Sequence, residues 1–168
     1  VEAGRLSRAA AAETPSGDAT IDRLVAAELN GRLLGDMEWS FYQRAWDGVR
    51  GGLRRGGLAA TITAAFPTQG TFEESANLSM DRVRVAAAEV TLAPGTVLPR
   101  TRVELFGIGY DDTRPVTARP DNSGHEPRRA DIRVWTAGVS AAGAYPSRLG
   151  VTDVVGWAAG QSGAWYEL

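Results

Sequence analysis

At 168 residues, with 18 basic against 20 acidic side chains and a net charge of −2, the chain has the composition of one soluble globular domain. Its charge offers no attachment to nucleic acid or to anionic lipid, and the absence of cysteine excludes disulfides, thiolate metal sites and cysteine nucleophiles. Every basic residue is arginine, as a GC-rich codon bias produces, so any single arginine carries less functional weight than usual.

Val1 in place of an initiator Met points to a processed or excised chain, and residues 1–20 read as an Ala-rich lead-in that breaks into Pro, Ser and Gly. "IDRLVAAEL" (21–29) reads as helix or strand edge. Trp39, Tyr42, Trp46, Val49 and Leu53 recur at steps of three and four, which predicts an amphipathic helix closed by Gly51, Gly52, Gly56 and Gly57. Burial of this aromatic stripe against a sheet is the expected role. "LAATITAAF" (58–66) predicts a buried strand and "PTQGTF" a loop. A second helix is predicted over Glu74–Val90, with Thr71 and Glu74 placed for a capping box. "RVELFGIGY" (102–110) and "ADIRVW" (130–135) predict two further strands around a Pro/Asp/Gly-rich loop at 111–127. Val151, Val154, Val155 and Ala158 suggest a short helix in an otherwise irregular tail. The order implies an α+β layered domain, with helices on one face of a small mixed sheet. No charged-then-apolar leader and no apolar run of membrane-span length is present, so no direct membrane insertion is expected.

Few residues invite chemistry. His125 stands alone in a loop without further ligands at metal-site spacing, Asp111 and Asp112 read as turn formers, and "GIG" at 107–109 is too short for a dinucleotide fingerprint. Ser40, Ser79 and Ser140 lack a nucleophile signature, so the expectation is a non-enzyme with no cofactor and no metal. The remaining candidate is an anion site. On the predicted second helix, Ser79 and Arg82 share a face near its start, where free N–H groups and the dipole favour a carboxylate. Arg128 and Arg129 precede a strand, so only one of them can face the same pocket. The simpler alternative for Arg82 is a surface ion pair.

"NLSMDRV" (77–83), "GYDDTRPV" (109–116) and "GHEPRRADIRV" (124–134) together resemble the OmpA-like C-terminal domains that bind peptidoglycan. The resemblance covers roughly residues 58–134. It implies an OmpA-like sandwich over 36–134, with an N-terminal extension over 1–35 and a C-terminal extension over 135–168. It further implies a site for the diaminopimelate carboxylate at Arg82, assisted by Asn77, Ser79, Thr68, Arg128 and Arg129. Where the family carries a loop acid, this chain has Pro67 or, one slip away, Thr68. The implied function is noncovalent peptidoglycan binding that anchors a larger protein or assembly in the cell envelope, on the periplasmic or cell-wall side. The alternative is a structural or docking module of the same fold, held by protein partners in an envelope or phage-tail-like machine.

Overall fold

The structure, a computed structural model, describes residues 1–6, 15–29, 45–69, 78–114 and 131–164. In chain order these form β1 (Glu2–Leu6), α1 (Ala19–Glu28), β2 (Trp46–Arg55), β3 (Leu58–Pro67), β4 (Val83–Leu92), β5 (Thr101–Asp112), β6 (Ile132–Ser147) and β7 (Gly150–Ala164). The seven strands make one sheet whose spatial order is the chain order, and every neighbouring pair is antiparallel.

This meander overturns the expected α+β, OmpA-like sandwich. The described part of the first predicted helix is β2, paired residue for residue with β3 from Trp46↔Pro67 to Arg55↔Leu58. The described part of the second is an approach segment followed by β4, and the predicted helix near Val151 is β7. Both faces of β4 are apolar, Val83, Val85 and Ala87 on one and Ala86, Ala88 and Val90 on the other, so its sequence lacks a clean alternation of two. β1 and α1 fall within residues 1–35, and most of β6 and all of β7 within 135–168.

Connections differ between the two ends of the sheet. At one end β2 turns into β3 through Gly56–Gly57 and β6 into β7 through Arg148–Leu149, while β4 reaches β5 through 93–100. Gly56 has φ +59°, the left-handed geometry that a two-residue hairpin needs and that glycine adopts without strain. The stretches 7–45, 68–82 and 113–131 connect strands at the opposite end.

One sheet face is covered and the other open. Leu6, Trp46, Ala65, Val85, Ala87, Phe106 and Ile108 form a buried cluster on the covered face. Nearer the short turns, α1 lies on β6 and β7, packing Ile21 and Val25 against Ala142 and Ala144. Asp18 fixes the helix start: its carboxylate accepts from the N–H groups of Thr20 and Ile21 at 2.9 and 3.3 Å.

Candidate functional site

Alternation along each strand sorts the side chains into two chemically different surfaces. On the open face the paired register can be followed row by row. Val49, Ala64, Ala86, Gly109 and Trp135 form one row, and Gly51, Ile62, Ala88, Gly107, Ala137 and Gly160 the next. Leu53, Ala60, Val90, Leu105, Val139 and Ala158 follow. No charged side chain interrupts these three rows. Ile62 is 67% exposed, Leu53 64% and Leu105 50%, which is unusual for large apolar groups repeated across a sheet.

Charges bound this band. At the end with the longer connections, the next row holds Arg5, Asp47, Phe66, Asp111 and Arg133, and Arg84 pairs with Asp111. Arg5 grips Asp47 through two bonds of 2.8 and 3.0 Å, and Ser79 donates its hydroxyl to the same carboxylate at 2.7 Å. These bonds, Arg5 first, hold the Asp47 carboxyl below the usual carboxylate range. At the short-turn end Arg55 enters the row of Leu58, Leu92 and Val103.

Aromatic rings stand at both margins. Trp135 lies across Gly109, where an added Cβ would sit 2.6 Å from the ring. Tyr145 covers Gly143 and shares a hydrogen bond with the Thr101 hydroxyl.

The covered face is mixed, with polar side chains set among the apolar cluster and Ala59 and Trp157. Arg50, Thr63, Thr136 and Gln161 lie in one row, Thr61 and Glu89 in the next, and Arg54, Thr91, Glu104 and Ser140 in a third. Gln161 donates to Thr136 at 3.0 Å, and Arg54 to the Pro15 carbonyl at 2.7 Å. Arg102 forms a buried ion pair with Glu104. Burial pushes the Glu104 carboxyl above its ordinary value, against the opposing pull of Arg102 and Thr91. Among the described residues no group of acids and histidines is placed to hold a metal.

The residues singled out for a carboxylate site scatter. Arg82 is not on a helix: it occupies the turn before β4 with φ +65°, its side chain exposed and its carbonyl accepting from Thr113. Thr68 and Ser79 do meet, as partners in a β-bridge, but the buried Thr68 hydroxyl accepts from the Ala45 N–H at 2.9 Å. Asn77, Arg128, Arg129 and His125 lie outside the described residues. Asp111 and Asp112 end a strand instead of making a turn. Asp111 meets Arg133 at 3.2 Å on the open face, and Asp112 is held by Arg114 at 2.7 Å on the other.

Sequence reasoning missed the open-face rows because their members are separated by whole hairpins; alternation within β3 alone, Leu58, Ala60, Ile62, Ala64 and Phe66, was the available signal. Compared with family models, curated proteins and solved structures, the chain matches none.

Proposed function

We propose that this chain forms part of the wall of an outer-membrane-type β-barrel, with the open face against lipid hydrocarbon and the covered face lining a polar interior. The observation that carries this reading is the three-row apolar band free of charge on one face, set against Arg50, Arg54, Glu89, Arg102 and Glu104 on the other. A bilayer rewards that division. Each strand crosses with its backbone bonds satisfied by neighbours, its outward residues apolar and its inward residues free to be polar.

Dimensions support it. The outward residues of β6 from Trp135 to Tyr145 carry no charge and span roughly 33 Å, or about 23 Å across a bilayer at the usual tilt of about 45°, a stretch that Arg55 enters only at the β2 end of one row. Phe66 and Trp135 at one margin and Tyr145 at the other fit interfacial aromatic girdles. Short turns at one end and longer connections at the other are the usual asymmetry of such walls. No described helix is long and apolar enough to cross a membrane, a criterion that does not address strands. Among the described residues β1 and β7 each have one neighbour, and an unpaired edge has no place in hydrocarbon, so this reading requires further strands beside them.

The activity that follows is passage or retention of hydrophilic solutes along the polar face, with α1 narrowing the interior near the short turns. Arg82 stands in the turn before β4 and not on the helix that would have aimed it at a stem-peptide carboxylate.

The cysteine-free sequence suits a direct test. Single cysteines replacing Ile62, Leu105 and Val139 should place a fluorophore where bromine-labelled lipids quench it. Cysteines replacing Thr61 and Thr136 should instead escape that quenching and react with water-soluble maleimides once mild denaturant loosens the cover on that face. A chain that stays dispersed without detergent or lipid, and whose open-face cysteines react freely with the aqueous reagent, would overturn the reading.

A further inference from the structure

One part of the open face is not flat. Ala64, Ala86 and Gly109, adjacent on β3, β4 and β5, present the smallest side chains in their row, while Phe66 and Trp135 rise on either side. The result is a groove of about 520 Å³ with an almost wholly apolar lining. Its volume is within the range of small-ligand pockets. Trp135 cannot close over it, because the ring already rests on Gly109, where a Cβ would lie 2.6 Å away.

The mouth of the groove is charged. Arg84, Asp111 and Arg133 line it at the end with the longer connections. Arg133 is spent on Asp111, which it meets at 3.2 Å, so that pair is neutral. Arg84, exposed and opposite the same Asp111 in the register, gives the three groups a net positive charge.

We propose that this groove is a specific site for an anionic lipid, with one acyl chain over Ala64 and Ala86, flanked by the Trp135 ring, and a phosphate headgroup at Arg84, beside the Arg133–Asp111 pair. The proposal rests on the membrane-wall reading and adds to it a fixed lipid with a preferred headgroup. Its argument is charge complementarity joined to depth. An apolar groove alone suits any acyl chain, but a guanidinium at its mouth, where the band meets water, favours a lipid that carries negative charge there. A net charge of −2 does not oppose this, since the field at the groove mouth is set by groups within a Debye length.

Native mass spectrometry of the full chain, exchanged into detergent holding equal phosphatidylglycerol and phosphatidylcholine, tests it. The expected result is one phosphatidylglycerol retained per chain, preferred by about tenfold, as one charge-assisted contact allows. Ala86→Leu should fill the groove and abolish retention, while Ala137→Leu, outward on the same face but outside the groove, should leave it intact. Arg84→Gln with Arg133→Gln should keep a bound lipid but erase the headgroup preference. Equal retention of both lipids by the wild type, or retention unchanged by Ala86→Leu, would overturn the site while the cysteine-quenching test still supports the wall. Absence of lipid retention together with failure of that quenching test would overturn both.

Discussion

Arg102 and Glu104, two residues apart on β5, point to the same covered face and form an ion pair from which water is almost excluded. Thr91 on β4 joins them, donating to Glu104 at 3.3 Å and accepting from Arg102 at 3.4 Å. A strand interior holds two opposite charges only where they satisfy one another, since burial without a partner costs each ion several kcal/mol.

Removing one partner should therefore be far worse than removing both. Glu104→Ala leaves the Arg102 guanidinium buried beside Thr91 and is expected to cost about 3–5 kcal/mol. Arg102→Met combined with Glu104→Leu should recover most of that loss. Urea unfolding of the two variants, compared by midpoint at constant slope, reads the difference directly.

The same carboxyl gives stability a pH dependence of known sign. Burial raises the Glu104 value above its ordinary 4.5, so the folded chain binds this proton more tightly than the unfolded chain does. Its contribution is complete below the ordinary value and is lost as pH rises through the folded one. Glu104→Gln should remove this slope, so wild type should lose stability relative to the variant on going upward from pH 4.5. An opposite sign would mean that Arg102 outweighs burial. Asp47, held low by Arg5 and Ser79, contributes in the reverse sense and weakens as pH falls.

How far the sequence could have shown this differs by strand. β3 is read as Leu58–Phe66 and observed as Leu58–Pro67, because small and β-branched residues alternate between exposed and buried along it. β5 was legible for a similar reason. β2 was not: Trp46 sits on the covered face while Val49 and Leu53 sit on the open one, so their spacing of three and four imitates a helical stripe. β4 carries alanine on both faces, and alanine has high helix propensity. Both segments are decided by pairing with neighbours, which a local window does not contain. The apolar band of the open face is less legible still. Its apolar residues alternate with Thr, Arg and Glu, so a search for long apolar runs passes over it.

Glycines separate close approach from mere flexibility. A Cβ on Gly48 would lie 2.2 Å from the Ala64 carbonyl oxygen and 2.6 Å from the Ala65 Cα, both backbone atoms that cannot turn aside. On Gly107 it would meet nothing within 4 Å. Gly48→Ala should cost about 1–3 kcal/mol by overpacking. Gly107→Ala should be neutral or slightly stabilising. Thermal melts of the two variants provide the comparison.

The open face distinguishes lipid from water as its surroundings. In water, Leu105→Arg would place a charge on an already exposed site, and such surface changes usually stay within about 0.5 kcal/mol. At the middle of a bilayer the same arginine should cost about 2–4 kcal/mol. Leu105 is in the third apolar row, between Val90 and Val139, so no neighbouring acid in its row can pair with the new charge. Folding yield into lipid vesicles should therefore fall sharply for Leu105→Arg, and much less for Asp111→Arg at the charged margin.

Helix α1 should behave as a separable insert on the covered face. Its hold includes the Asp18 cap and the packing of Ile21 and Val25 against Ala142 and Ala144, with Leu24, Leu29 and Val155 beside them, whereas each strand from β2 to β6 is tied into a ladder on both sides. Asp18→Ala should remove about 0.5–2 kcal/mol of capping. Val25→Asp goes further, because it buries a carboxylate against alanine methyl groups with no cation on the contacting residues of β6. Hydrogen exchange should then show amides of Ala19–Glu28 losing protection while those of β3, β4 and β5 keep theirs. If the strands lost protection at the same rate, α1 would be part of one cooperative core instead, and the polar face would open only when the sheet itself came apart.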